Sequence, residues 1–138
     1  MPSVRSHARA EGRPRGPVLL FTYGTLMRGY ALHRVLASAV LMGEGTVRGR
    51  LLDLGSYPGL VEGEGQVRGE LYRLPGAELM ATVDREEGYN FERGPITVTL
   101  GDGRTSRAWA YRYRGPRERA VPIPDGDYRR AHPTRRLE

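Results

Sequence analysis

Two short stretches carry residue types that could do chemistry together. Tyr23-Gly24-Thr25-Leu26 follows the apolar run Val18-Leu19-Leu20-Phe21, so it reads as a polar, glycine-hinged loop at the end of a buried strand. Such a loop presents unpaired backbone amides. Beside a threonine hydroxyl they can hold a carboxylate or an amide carbonyl, and glycine lets the backbone approach a ligand with no Cβ in the way. Taken alone, the tetrapeptide is equally consistent with a routine turn. Its counterpart is Asp84-Arg85-Glu86-Glu87-Gly88-Tyr89, which places carboxylates at the end of an expected helix.

That helix spans Pro75 to Glu87, with Pro75 and Gly76 at its start, Glu78 in its first turn and Gly88 as its stop. At about 100° per residue, Leu79, Met80 and Val83 form the apolar face, and Glu87 falls about 30° from its centre. Glu86 and Asp84 lie further off on either side. A carboxylate on the inward side is disfavoured unless it is paired or used. Partial burial and the negative end of the helix dipole would both raise the pKa of Glu87 towards that of a general base at neutral pH. The residues alone leave a second reading open, in which Glu87 bonds a backbone amide or pairs with Arg93 while Glu86 and Asp84 are solvated.

The elements that must position these groups can be read from apolar periodicity. Residues 18–23 suit a buried strand, and Tyr30 to Ala39 show helical spacing through Leu32, Val35 and Leu36. Residues 43–54 return as residues 63–74 with eight of twelve positions identical. Two copies are too few for a solenoid, so the echo is read as two neighbouring strands joined by Gly55-Ser56-Tyr57-Pro58-Gly59. Its glycines are ascribed to bends and close strand packing rather than to a dinucleotide fingerprint. Pro95 to Leu100 alternates, Gly101-Asp102-Gly103 is a hairpin turn, and Thr105 to Tyr113 puts Trp109, Tyr111 and Tyr113 on one face. The order β-α-β-β-α-β-β predicts an α+β fold with a mixed, mostly antiparallel sheet curving towards a barrel.

Composition bounds the function classes. The chain of 138 residues fits one domain of ordinary hydropathy, with a mean of −0.54. It shows no apolar run of membrane-spanning length and no signal-peptide h-region at its start, so a cytoplasmic location is expected. The absence of cysteine removes disulfides, thiolate metal sites and thiol nucleophiles. All 22 basic residues are arginine, which excludes a lysine Schiff base and a Gly-Lys-Ser/Thr phosphate loop. The net charge of +6 divides into +3 for residues 1–17, +4 for 112–138 and −1 for 18–111. The basic character therefore lies in the two ends, and nucleic acid is the lesser expectation as a partner. His7, His33 and His132 make no metal-ligand cluster, and no serine sits in a Gly-x-Ser-x-Gly elbow.

Taken in order, Tyr23-Gly24-Thr25-Leu26, Tyr57-Pro58-Gly59, Gly69-Glu70-Leu71-Tyr72, Asp84-x-x-Glu87-Gly88-Tyr89, Arg93 and Ile123-x-x-Gly126-Asp127-Tyr128 resemble the γ-glutamylcyclotransferase-like family and its AIG2-like branch. The resemblance runs from about Val18 to Tyr128. Residues 1–17, rich in Arg, Pro and Gly with hardly any bulky apolar residue, are expected from composition to be a disordered arm, and the resemblance leaves one domain at 18–128 and a basic tail at 129–138. It implies a small mixed β-barrel flanked by helices, with a cavity between the first loop and the acidic helix end. Tyr23, Gly24, Thr25 and Leu26 would bind a glutamyl or 5-oxoproline group and Glu87 would be the acid/base. The expected activity is a cyclotransferase that releases 5-oxoproline and a free amine from a small γ-glutamyl compound, with no metal or cofactor. Many relatives carry a tyrosine where this chain has Phe91, so a more apolar pocket is expected here. The alternative is a module of the same fold that binds a small carboxylate without turnover.

Overall fold

The computed structural model describes residues 18–133, and the arm at 1–17 and the last five residues lie outside the described residues. Five strands close on themselves. They are β1 (Val18–Thr22), β2 (Val40–Asp53), β3 (Pro58–Leu74), β4 (Phe91–Leu100) and β5 (Thr105–Tyr113), and a short β6 (Val121–Ile123) pairs with β2. Around the ring, β1 pairs antiparallel with β3, β3 with β2, β2 with β4 and β4 with β5. The ring closes through a parallel seam between β5 and β1 at Leu20 and Trp109. The fold is thus the mixed, mostly antiparallel α+β barrel that the sequence predicts.

The internal echo is a long antiparallel hairpin in which Val47 pairs directly with its own counterpart Val67, and both are buried inside the barrel. The ladder shifts register between Leu41 and Gly43 and again between Arg48 and Arg50. Gly49, at the second shift, has φ +152, and a Cβ there would lie 2.7 Å from the Leu60 side chain. Bulged glycines of this kind bend a sheet and allow a barrel of few strands to close. The interior is filled by Phe21, Leu71, Ile96, Val98 and others, and by the fully buried Ala108 and Ala110. Alternation on β5 sends Trp109 and Tyr111 to the other face, where they meet Leu20, Met80 and Val83.

Helix α1 (Ala77–Glu87) begins two residues later than expected, after Pro75 and Gly76, and ends at Gly88 with φ +86. Val83 and Met80 are its buried residues, as the wheel requires. The helix expected over Tyr30 to Ala39 is only one 3-10 turn, His33–Leu36. Its amides are taken by tight bonds, Tyr30 to Met27, His33 to Tyr30, Val35 to Leu32 and Ala37 to Arg34, while Leu32 N–H reaches back to Thr25. Those i to i+3 bonds leave no i to i+4 ladder on which an α-helix could propagate.

Helix α2 (Tyr128–Ala131) has no counterpart among the expected elements. Residues 129–132, at the start of the segment grouped as the basic tail, fold against the barrel: Arg129 binds Glu70, and His132 Nε2 meets Asp53 at 2.6 Å. Tyr128 is buried and its ring lies 5.4 Å from that of Tyr30. No helix among the described residues is long and apolar enough to cross a membrane.

Candidate functional site

The loop after β1 and the end of α1 share one cavity of about 140 Å³. Its wall includes Thr22, Tyr23, Gly24, Thr25 and Leu26 from the loop side and Glu86 and Glu87 from the helix. Tyr111, Tyr57, Pro58 and Phe91 complete much of the rest. A cavity of this size suits a small ligand group. All five residues anticipated from sequence, Tyr23, Gly24, Thr25, Leu26 and Glu87, therefore lie on the same cavity.

The loop is held by turns that leave its amides free. Met27 N–H donates to Gly24 carbonyl at 2.9 Å and Leu32 N–H to Thr25 carbonyl at 2.9 Å. The amides of Gly24, Thr25 and Leu26 donate to no acceptor among the described residues. Gly24 is required by close approach rather than by a special dihedral: a Cβ would fall 2.4 Å from Pro58 Cγ. Below the loop, buried Glu70 accepts from Arg28 N–H at 3.0 Å, Arg28 Nε at 3.1 Å, Tyr72 hydroxyl at 2.8 Å and Arg129 at 2.9 Å. Burial pushes the Glu70 carboxyl up, but the donors of Arg28 and Tyr72 and the Arg28 charge outweigh it and hold it below its ordinary value. His33 Nδ1–H donates to Leu26 carbonyl at 2.9 Å, which makes His33 a packing residue of the loop.

Tyr23 has a different task from its neighbours. Its hydroxyl donates to Tyr111 carbonyl at 2.7 Å and accepts from Leu60 N–H at 3.1 Å, so it is committed to joining β1, β3 and β5. Burial, and after it the charge of Glu87, pushes its ionisation far above the ordinary phenol range. Tyr23 lends the cavity a wall, not a free hydroxyl.

Among the acids, Arg93 Nε lies 3.3 Å from Asp84 rather than beside Glu87. The reason is register. Arg93 on β4 faces Tyr111 on β5, and the Tyr111 hydroxyl itself donates to Asp84, so both partners converge on that carboxylate. Glu87 is half-buried and makes no hydrogen bond or ion pair among the described residues. Burial first, then the Asp84 and Glu86 carboxylates, pushes its pKa up to about 7. A carboxyl in that state can take a proton and return it near neutral pH.

Tyr111 is both a core residue and part of the cavity wall, with its hydroxyl engaged by Asp84. Phe91 also lines the cavity, its ring 5.8 Å from Tyr57 and 5.4 Å from Tyr113, so this part of the wall is aromatic. Sequence reasoning did not single out Thr22. It is 3% exposed, its Oγ1 has no partner among the described residues, and it lines the cavity. An unpaired buried hydroxyl costs about 1–3 kcal/mol. The signal available was a polar β-branched residue closing an otherwise apolar strand, in phase with buried Leu20.

Comparison with known proteins identifies the family and the fold. A family described as gamma-glutamyl cyclotransferase, AIG2-like, matches residues 20–130. The gamma-glutamylcyclotransferase family protein YtfP of Escherichia coli K12 is 34% identical over 112 residues, covering 79% of this chain and 94% of that protein. An uncharacterised protein of Pyrococcus horikoshii superposes with a TM-score of 0.68 at 26% identity, over 83% of this chain and 92% of the other. A mouse AIG2-like protein shares the fold with a TM-score of 0.65 at 24% identity, over 75% of this chain and 82% of that one.

Proposed function

Because the chain belongs to the AIG2-like γ-glutamyl cyclotransferase family, we propose that it converts a γ-glutamyl amine or amide to 5-oxoproline and the free amine, with Glu87 as general acid/base. The observation that carries this reading is an unpaired, half-buried carboxyl with a pKa near 7 on the same small cavity as three unpaired backbone amides. The amides of the Gly24–Leu26 loop hold and polarise the glutamyl group. The substrate α-amine attacks its own side-chain carbonyl carbon, forming the ring C–N bond, while Glu87 takes the proton lost by that amine. The loop amides stabilise the developing oxyanion. As the carbonyl re-forms, the bond to the departing nitrogen breaks, and Glu87 returns its proton to that nitrogen. The reaction is intramolecular, so positioning supplies much of the acceleration.

The test is a panel of γ-glutamyl amines and amides assayed for 5-oxoproline release by the wild-type chain and Glu87→Gln. Release by the wild type and loss of at least about 10²-fold in the variant are expected. Equal turnover by both would remove Glu87 from the chemistry. Saturable binding across the panel with no release would instead establish a non-catalytic carboxylate-binding module.

A further inference from the structure

We propose that Arg129, on α2, is a positioning residue for the loop that presents the Gly24, Thr25 and Leu26 amides; what that loop binds rests on the function proposed above. One guanidinium makes two holds. Its Nη1 donates to the Arg28 carbonyl at 3.0 Å and its Nη2 to the buried Glu70 carboxylate at 2.9 Å. Its central carbon also lies over the Tyr30 ring, 5.1 Å from the centroid. A planar fork of this kind fixes direction as well as distance, which a single ammonium does not.

The two ends of the loop are restrained differently. From the far side, Leu32 N–H bonds the Thr25 carbonyl and the His33 ring bonds the Leu26 carbonyl. Residues 28–30 have the turn bond from Tyr30 N–H to Met27 carbonyl, and beyond it they depend on Glu70 and α2. The Arg28 carbonyl accepts from Arg129 alone among the described residues. Helix α2 is itself a fixed post. Tyr128 is buried, the Gly126 carbonyl accepts from Arg68 N–H on β3 at 2.8 Å, and His132 Nε2 meets Asp53 on β2 at 2.6 Å. The Tyr30 hydroxyl donates to the His132 carbonyl, so α2 grips this stretch of loop at two points. Without Arg129, Glu70 would keep Arg28 N–H, Arg28 Nε and the Tyr72 hydroxyl as donors. The loop, rather than the buried carboxylate, is what loses its restraint.

The experiment compares wild type, Arg129→Ala, Arg129→Lys and a control on the same helix, Arg130→Ala, whose side chain pairs with Asp125. All are full chains held well below their unfolding temperatures. Amide hydrogen exchange is read by NMR without ligand, and affinity for 5-oxoproline by calorimetry. In Arg129→Ala the amides of Met27, Arg28 and Tyr30 should exchange roughly 10-fold faster or more, while those of the β2–β3 hairpin keep wild-type rates. Affinity for 5-oxoproline should fall roughly 10-fold, because misaligned amides bind less well. Arg129→Lys keeps the charge beside Glu70 but not the fork, so it should show the same fast exchange and weak binding. Arg130→Ala should match wild type in both. Unchanged exchange at Met27, Arg28 and Tyr30 in Arg129→Ala would overturn the assignment, as would equal acceleration throughout the barrel, which a merely structural role produces. The same losses in Arg130→Ala, full recovery by Arg129→Lys, or fast loop exchange with wild-type affinity would overturn it too. If wild type fails to bind 5-oxoproline, the proposed function falls, whereas the exchange rates still decide the role of Arg129.

Discussion

Replacing Glu87 with glutamine should make the protein more stable, and only at the pH where the carboxyl would be charged. The pKa of Glu87 rises from 4.5 to about 7 on folding because burial and two neighbouring carboxylates oppose its negative form. For an acid raised in this direction, the folded state binds more protons than the unfolded state between those two values. Stability is therefore lost as pH climbs from about 4.5 to 7, and the full penalty applies above. At 1.36 kcal/mol per pKa unit the penalty is about 3 kcal/mol at most. Glutamine keeps the shape without the charge, so the variant should match wild type near pH 4.5. It should gain up to about 3 kcal/mol at pH 8.5, or roughly 10 °C in unfolding temperature for a domain of this size. Urea titrations of both proteins at several pH values give the difference directly, since titration of groups away from the cavity cancels. A difference that is flat with pH, or a variant less stable at pH 8.5, would refute the placement of Glu87 as an unpaired inward acid. A gain in stability together with loss of turnover would mark the carboxyl as retained at a cost to the fold.

Glu86→Gln removes one of the two charges that raise Glu87, so the limb of the pH profile of kcat/KM that reports Glu87 should move to lower pH; an unmoved limb would exclude that coupling. Gly24→Ala drives a methyl towards Pro58 at 2.4 Å, and should destabilise by about 1–3 kcal/mol in denaturant titrations while weakening 5-oxoproline binding. Glu70→Gln deletes the charge that gathers Arg28, Tyr72 and Arg129, and should cost about 2 kcal/mol at pH 7. Because the folded pKa of Glu70 is depressed, its contribution is present above its unfolded value and fades as pH falls through the folded one. The gap between variant and wild type should therefore close in acid.

Much of the site was legible because local rules decide it. Helix α1 follows from Leu79, Met80 and Val83 with Gly88 as the stop, and the inward aim of Glu87 follows from the same wheel. The echo of residues 43–54 and 63–74 identified the hairpin, and the repeated valines, Val47 and Val67, mark the same core position on both strands. What escaped was set by partners distant in sequence. Arg129 belongs to a charge-rich segment, and only the fold brings it to Glu70, which lies 59 positions earlier. The partner of Arg93 depended on the register of β4 against β5, and the burial of Thr22 on the elements that cover the end of β1. The segment 30–39 misled because its apolar spacing fits a helix, while its hydrogen bonds go to the tighter turn that shapes the loop.

The parallel seam between β1 and β5 also governs when the site comes into being. The bond from Tyr23 to Tyr111 spans 88 positions, and the seam at Leu20 and Trp109 spans nearly the whole barrel sequence. Contacts of such separation form against a large loop-closure entropy and come late in folding. A chain emerging from the ribosome carries its loop early and its acidic helix midway, but cannot join them across a finished wall until β5 has been made. Ligand binding by this cavity is thus a signature of the completed barrel, and a partly folded chain would be silent in any assay that reads it.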